Sequence, residues 1–340
     1  MRKLLNTLYI TNENAYLMLE GENFVCKIDG MDKFKIPFDN IESVVCFSYL
    51  GVSPALMGKC ADKQIPINFI SPNGKFLAKV ISGAKGNVFL RVAQIEKFRE
   101  KALNLTQNSI AAKFANSAFV IKRTLHDNPN LRDDSEILAV LEVLRTGTLS
   151  LYEAKNADEI RGIEGSCASA YFSIFDKLIT NEKVPFKFEF RSRRPPLDPI
   201  NATLSFAYTL LTSEFASALE TVGLDSYIGF FHTLRSGRAS LACDLVEEAR
   251  ALAERFVLTL LNLRILGESD FETQISGAVL LNTDGRKKFI TAWQEKKRTG
   301  ITHPYLKEKI ELGLLPYVQS NLLAKFVRGE IDEYPAFLLK

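Results

Sequence analysis

Short apolar runs separated by turn residues fill the first eighty or so residues of the chain. Seven of these runs are rich in Val, Ile, Phe and Tyr and predict β-strands over residues 4–10, 15–19, 23–28, 33–36, 43–47, 67–70 and 75–81. Asp29-Gly30 and Asn73-Gly74 indicate tight turns, because these residue types tolerate positive φ. Ser53 followed by Pro54 breaks the pattern and predicts the start of one short helix over residues 53–62.

After residue 87 the apolar positions recur every three to four residues, which is typical of amphipathic helices. This spacing predicts helices over residues 88–105, 110–125, 135–144, 157–179, 199–219, 239–263, 286–297 and 305–326. Gly83 and Gly86 lie between the two patterns and indicate a hinge-like connection. The sequence therefore predicts an α+β protein, with a small N-terminal β domain over residues 1–86 and a larger all-α domain over residues 87–340.

The composition is that of a soluble globular protein. Of the 340 residues 46% are hydrophobic and 24% are charged, which excludes an intrinsically disordered chain, a collagen and a disulfide-rich scaffold. Five cysteines without a C-x-x-C pair indicate reduced thiols rather than a thiolate zinc site. No segment approaches the roughly 18 continuous apolar residues of a membrane span. We therefore expect a cytoplasmic protein without a membrane partner.

One histidine and the helix that follows it contain a candidate metal site. On a helical wheel Asp244 and Glu247 lie about 60° and 120° to the same side of Leu241, so both acids share a flank that His232 can approach. An imidazole with two carboxylates suits Mn²⁺ or Mg²⁺. Glu248 lies about 20° from Leu241, so the wheel leaves open which glutamate points inward. The same acid spacing is also common on solvated helix faces.

Small residues surround a second acid, Glu164. Gly165, Ser166, Ala168, Ser169 and Ala170 remove bulk from the predicted helix around this carboxylate. Such a face permits the close approach of a ligand or of another helix. The pattern is consistent with a binding site at Glu164 and equally with tight helix packing.

An arginine-rich loop forms a third candidate site. Arg191, Arg193 and Arg194 precede two prolines, and Asn201 and Tyr208 follow on one face of the next predicted helix. Guanidinium groups bind phosphate oxygens through paired hydrogen bonds, so this segment suits a nucleic acid. With a net charge of only +3, a basic surface has to come from such local clusters, which are also common on ordinary solvated surfaces.

The other histidines and the single tryptophan have plainer interpretations. His126 and His303 lack acids at ligand spacing, and we interpret both as surface residues. Trp293 is most simply a packing residue. Further cations at residues 286–288 and 296–298 extend the possibility of a basic surface.

Taken together, these segments resemble the CRISPR-associated nuclease and integrase family of spacer acquisition. The resemblance rests on the Gly-Ile-Glu-Gly segment at 162–165 with Tyr-Phe at 171–172, on Arg-Arg-Pro-Pro-Leu-Asp-Pro-Ile-Asn-Ala at 193–202, and on Gly-Phe-Phe-His at 229–232 followed by residues 237–248. It also includes the order of a β region before a helical one, and so covers nearly the whole chain.

The resemblance implies a fold, partners and site residues. It implies a helical catalytic domain, a homodimer joined through the β domains, and a small ferredoxin-like CRISPR adaptation partner protein. Glu164, His232 and Glu247 would hold Mn²⁺ or Mg²⁺, with Asp244 as an additional catalytic acid; the family has a carboxylate at the position of Glu247, which favours it over Glu248. The residues expected to position double-stranded DNA are Arg193, Arg194, Asn201, Tyr208 and Arg238.

The implied function is that of a metal-dependent DNA endonuclease and integrase. Such an enzyme inserts short DNA fragments, the spacers, into a CRISPR array by attack of a 3′-hydroxyl on a phosphodiester. A metal ion stabilises the charge that develops on the phosphate oxygens in this reaction. Two alternatives remain open from the sequence: a metal-dependent nuclease without integrase activity, and a metal-free DNA-binding scaffold.

Overall fold

The N-terminal region of the computed structural model contains two small β-sheets and one helix. The model describes residues 6–71, 76–81 and 88–340. The strands are β1 (Thr7–Ile10), β2 (Ala15–Glu20), β3 (Asn23–Ile28), β4 (Met31–Pro37), β5 (Ser43–Cys46), β6 (Ile67–Ile70) and β7 (Phe76–Val80), and helix α1 (Pro54–Asp62) lies between β5 and β6. One sheet has the order β1-β5-β6-β7, with an antiparallel β6–β7 pair and otherwise parallel pairs; the other is the antiparallel meander β2-β3-β4.

Local sequence signals account for several of these elements. The hydroxyl of Ser53 accepts a hydrogen bond from the Leu56 backbone N–H at 3.2 Å, which confirms the predicted helix start. Asp29 and Gly30 both have positive φ and turn the chain between β3 and β4, as predicted. The predicted turn at residues 73–74 and the connection at 82–87 lie outside the described residues. The domain limits at residue 86 therefore stay a prediction.

The rest of the chain is mostly helical. Its helices are α2 (Val88–Asp127), α3 (Ser135–Glu153), α4 (Ala157–Ser173), α5 (Pro199–Val222), α6 (Ser240–Asn262), α7 (Thr283–Lys297) and α8 (Leu315–Val327). Within the described residues, none is both long and apolar enough to cross a membrane. The predicted α+β class, with strands first and helices after, is confirmed.

Two of the predicted helices are in fact one. The segments 88–105 and 110–125 belong to the single 40-residue helix α2. The polar residues between them contain neither Gly nor Pro, so nothing interrupts the helix there. The hydroxyl of Thr106 instead donates to the carbonyl of Ala102, one turn back, at 2.7 Å.

The all-α description of the second region was wrong in one respect. Two short antiparallel ribbons interrupt the helices: β8 (Phe271–Thr273) with β9 (Val279–Leu281), and β10 (Gly300–Thr302) with β11 (Lys309–Glu311). The predicted helix over 305–326 therefore contains a turn and the strand Lys309–Glu311, and is an α-helix only from Leu315. The predicted helix over 157–179 ends at Ser173.

Helix α6 lies at the centre of the helical region, packed between α2 and α5. Its apolar residues are buried on almost every side, as expected of a core helix. It also buries four acids, Asp244, Glu247, Glu248 and Glu254, each at most 3% exposed. Buried carboxylates need hydrogen bonds or cations as partners, so this helix determines where polar groups gather in the core.

Candidate active site

The loop that carries His232 is held against α6 by one carboxylate. Asp244 accepts backbone N–H bonds from Phe230 at 2.6 Å, Phe231 at 3.1 Å and His232 at 2.8 Å. Its Oδ1 also lies 2.6 Å from Nδ1 of His232. Asp244 thus fixes both the backbone and the imidazole ring, and leaves Nε2 of His232 3.9 Å from Oε1 of Glu247.

Glu247 is a buried carboxylate between cations. Its Oε2 lies 2.7 Å from Nζ of Lys113, and its Oε1 accepts a hydrogen bond from Nε of Arg250 at 3.0 Å. Burial disfavours the ionised form, but Arg250 and Lys113 outweigh it and hold the pKa of Glu247 at about 2. Glu247 is therefore ionised at neutral pH although it lies in the core.

Glu164 reaches the same point from another helix. It lies on α4 with a side chain 22% exposed, and its Oε1 accepts a hydrogen bond from the Lys113 ammonium. Lys113, on α2, therefore connects the carboxylate of α4 with that of α6. The structure thus brings Glu164, His232, Asp244 and Glu247 together from separate parts of the chain.

Lys113 was not among the site residues predicted from the sequence. It is the only charged residue between Ala102 and Ile121, in a stretch of α2 that is largely buried. Such a lone cation in a core helix needs an anionic partner, and that signal was present in the sequence.

The second glutamate of the pair points elsewhere. Glu248 accepts hydrogen bonds from the hydroxyl of Tyr334 at 2.6 Å, the amide of Gln319 at 2.8 Å and the backbone N–H of Phe337 at 2.9 Å. Burial raises the pKa of Glu248 to about 7 in spite of these donors. Glu247 is thus the glutamate that faces His232, while Glu248 fastens the C-terminal segment to α6.

The donor atoms at this point fit a divalent ion. In the described part of the chain no three His, Cys, Asp or Glu side chains stand close enough to hold a metal as they are. A cation, the Lys113 ammonium, nevertheless lies between Glu164 and Glu247. Two carboxylates share this cation, and an imidazole nitrogen lies 3.9 Å from one of them; donors of these types suit Mn²⁺ or Mg²⁺.

Comparison of the sequence with models of protein families shows the family to which this chain belongs. The model of the CRISPR-associated protein Cas1 matches residues 8–295. The chain belongs to the Cas1 family.

Similar proteins cover the whole length of this Cas1-family chain. A CRISPR-associated endonuclease Cas1 of Rhodospirillum rubrum is 44% identical over 345 residues, which is 100% of each chain. A Cas1 endonuclease of Chlorobaculum tepidum is 41% identical over 341 residues, 99% of each chain. A solved structure of a casposase bound to an integration product has a TM-score of 0.83 at 21% identity, over 97% of this chain and 92% of that one, so the two share a fold.

The predicted DNA-positioning residues of the chain differ in exposure. Arg193 and Arg194 are exposed, and Arg238 is partly exposed with a hydrogen bond to the Thr233 carbonyl. Tyr208 is half-buried: its ring lies 4.7 Å from the Arg250 guanidinium and its hydroxyl donates to Glu254 at 2.7 Å. Tyr208 therefore belongs to a polar network behind Glu247.

Asn201, which was predicted to help position DNA, lies beneath the arginine-rich loop. Its side chain is fully buried, and its Oδ1 accepts from Arg191 at 2.6 Å and from the backbone N–H of Ser192 at 3.0 Å. Its amide donates to the carbonyl of Phe190 at 2.8 Å. Asn201 shapes the arginine-rich loop from beneath, because all its polar atoms are used within the chain.

The small residues beside Glu164 form an open surface. A Cβ on Gly162 or Gly165 would meet nothing within 4 Å, so tight helix packing does not explain that face. Together with Arg161, Ser166 and Ser169 these glycines line a shallow concavity. The face of α4 next to Glu164 therefore leaves room for a ligand.

The remaining sequence interpretations had mixed outcomes. His126 is exposed, as expected. His303 is fully buried with Nε2 2.9 Å from Oε1 of Gln319, so the surface interpretation of His303 was wrong. Trp293 is buried, with its ring 5.0 Å from that of Phe256, which confirms a packing role.

Proposed function

We propose that this Cas1-family chain is a metal-dependent DNA endonuclease and integrase that inserts short DNA fragments into a CRISPR array. The observation that carries the proposal is that Glu164 and Glu247 share one cation and that Nε2 of His232 lies 3.9 Å from Oε1 of Glu247. Full-length relatives named as Cas1 endonucleases support it. The casposase with the same fold is consistent with it.

Glu164, Glu247 and Nε2 of His232 are the atoms proposed to hold Mn²⁺ or Mg²⁺. When bound, the ion supplies Lewis-acid stabilisation of the negative charge that develops on the phosphate. Asp244 binds Nδ1–H of His232, which leaves Nε2 of the neutral ring unprotonated and directed at Glu247. Arg250 donates to Oε1 of Glu247 and offsets the charge of that carboxylate.

The DNA is proposed to lie over the open face of α4 and the arginine-rich loop. Arg161, Arg193, Arg194 and Arg238 would contact phosphate oxygens, and the small residues beside Glu164 would allow the DNA backbone to approach. We further propose a homodimer, a small ferredoxin-like partner protein and a cytoplasmic location, as family membership implies.

Strand transfer tests the proposed function. A short duplex with free 3′-hydroxyls is incubated with supercoiled plasmid and the purified small partner protein, in Mn²⁺ or in EDTA, with wild type and His232→Ala. We expect joining in Mn²⁺ alone and at least a ~100-fold loss in the variant, because the proposed site loses a metal ligand. The matched control is His126→Ala, which changes an exposed histidine outside the candidate site, on α2.

The other outcomes separate the alternatives. Cutting without joining would identify a nuclease that lacks integrase activity. DNA binding without either reaction, from a folded and partner-bound chain, would contradict the proposal and favour a metal-free scaffold.

A further inference from the structure

Lys113 is the least expected member of the site. Its side chain is 10% exposed, and its ammonium lies 2.7 Å from Oε2 of Glu247 while also donating to Oε1 of Glu164. The three residues come from three different helices: Glu164 is 51 positions and Glu247 134 positions after Lys113 in the chain. A lysine in this position is a built feature of the core, since a buried ammonium needs partners to offset its desolvation.

The ammonium and the proposed metal ion compete for the same carboxylates. Glu164 and Glu247 carry two negative charges, and Lys113 and Arg250 already balance them. A divalent ion that enters beside both cations would bring four positive charges against the three carboxylates Glu164, Asp244 and Glu247 in a largely buried site. Lys113 is the one of these two cations that lies between Glu164 and Glu247, so it occupies the place of an ion shared by both carboxylates.

We infer that Lys113 is an internal counter-cation that holds Glu164 and Glu247 together in the metal-free protein and is displaced from them when a divalent ion binds. This inference rests on the proposed function. Lys113 is thus a positioning residue that sets metal affinity: it keeps the two ligand carboxylates close together, and its charge makes metal binding weaker than it would be at the carboxylates alone.

The surroundings of Lys113 include another acid within electrostatic reach, Glu254. A small cavity beside it is lined by Ser117, Cys167, Tyr171, Arg250 and Glu254, among others. The side chain of lysine has four rotatable methylene bonds, so its ammonium can move while α2 stays fixed. Glu254 provides a second buried carboxylate on the wall of that cavity.

Metal binding without DNA tests the inference. Free Mn²⁺ is measured by its electron paramagnetic resonance signal during titration of the full chain, with wild type, Lys113→Met and Lys113→Arg. We expect Lys113→Met to bind Mn²⁺ about tenfold more tightly or better, because the competing charge is gone. Lys113→Arg keeps the charge and should stay closer to wild type. Lys122→Met, on the same helix but exposed, is the control.

Thermal unfolding supplies a second readout. In EDTA, Lys113→Met should melt below wild type, because two ionised carboxylates then face each other without their shared cation. Saturating Mn²⁺ should remove most of that difference by binding the folded state. If Lys113→Met does not fold in EDTA, Lys113→Gln keeps a hydrogen-bond donor without the charge and replaces it in both measurements.

A further variant, His232→Ala, separates failure of the inference from failure of the proposed metal site. If folded Lys113→Met binds Mn²⁺ no more tightly than wild type while His232→Ala binds it more weakly, the inference is wrong and the metal site remains. If His232→Ala binds Mn²⁺ as tightly as wild type, both the inference and the metal site are wrong.

Discussion

Gly229 shows how much the candidate site depends on a missing side chain. A Cβ at this position would lie 2.4 Å from Oδ2 of Asp244 and 2.9 Å from the carbonyl carbon of Ser240. The loop therefore approaches the first turn of α6 more closely than any other residue type permits. That closeness is what lets three successive backbone N–H groups, up to His232, reach one carboxylate.

We expect Gly229→Ala to lower the free energy of unfolding by about 1–3 kcal/mol, since the new methyl group overpacks a fixed contact. It should also weaken strand transfer by moving His232. Gly162→Ala is the matched control: nothing lies within 4 Å of its Cβ, and alanine in a helix should raise stability by about 0.5–1 kcal/mol. Urea denaturation compares the two. Equal stability of both variants would contradict the role given to Gly229.

At the scale of single residues, the sequence was informative where a helix period decides the outcome. The wheel placed Asp244 and Glu247 on one flank of α6, and both face His232. It left Glu247 and Glu248 undecided, because they differ by one position and both are buried. Only the packing of the C-terminal segment, which takes Glu248, separates them. The lone charge of Lys113 in a buried stretch of α2 was a local signal, but the identity of its partners depends on contacts distant in sequence.

Helix α6 joins two opposite polar environments through adjacent residues. Cations hold Glu247 ionised on one side, whereas Glu248 has only neutral donors on the other. These donors belong to α8 and the C-terminal segment, so Glu248 is where the end of the chain is fastened.

Stability should therefore depend on pH through Glu248. Its folded pKa of about 7 lies above the usual value of 4.5, so the folded state binds the proton more tightly. Its contribution to stability is fully present below pH ~4.5 and is lost as the pH rises through 7, a change of about 3 kcal/mol. Glu248→Gln stays neutral, so its stability relative to wild type should increase by about that amount between pH 5 and pH 8.

Urea denaturation of wild type and Glu248→Gln at both pH values measures this difference. Groups that the two proteins share cancel in the comparison, and pH 5 lies above the range in which Glu247 gains its proton. Glu308→Gln, an exposed position, should track wild type. A stability difference that does not change with pH would show that Glu248 keeps an ordinary pKa.

At the scale of elements, helix positions were predictable and some boundaries were not. The break predicted between the helices 88–105 and 110–125 is absent. Polar residues other than Gly and Pro can continue a helix when neighbouring helices pack against it. The apolar residues of segment 305–326 have helical spacing, yet Lys309–Glu311 within it pairs with Gly300–Thr302 as an antiparallel β-ribbon. Pairing between strands is a tertiary contact and overrides local preference there.

On the whole molecule, positive charge is local rather than general. The net charge is only +3, so DNA binding would rely on the exposed arginines around the site. Arg193 and Arg194 are exposed on a loop that Asn201 and Arg191 brace from below. Rigid, solvent-facing guanidinium groups are well placed to release counterions from a phosphate backbone.

We expect Arg193→Ala/Arg194→Ala to reduce the dependence of DNA affinity on salt. The slope of log K against log salt is negative, and its magnitude should decrease by about 2, one for each lost phosphate contact. Fluorescence anisotropy with a labelled duplex at several salt concentrations measures it. Lys33→Ala/Lys35→Ala removes two exposed charges from β4 as a control. An unchanged slope in the arginine variant would place the DNA on another surface.

Helix α2 contacts several parts of this arrangement. Along its 40 residues, about 60 Å at 1.5 Å per residue, Gln94 holds the backbone of Asp225 and Ile228 ahead of the histidine loop. Lys113 then meets the carboxylates, and Asn116 binds the C-terminal segment through Phe337 and Leu339. Because these contacts lie on one uninterrupted helix, a shift of α2 would displace the histidine loop, the candidate site and the chain end together.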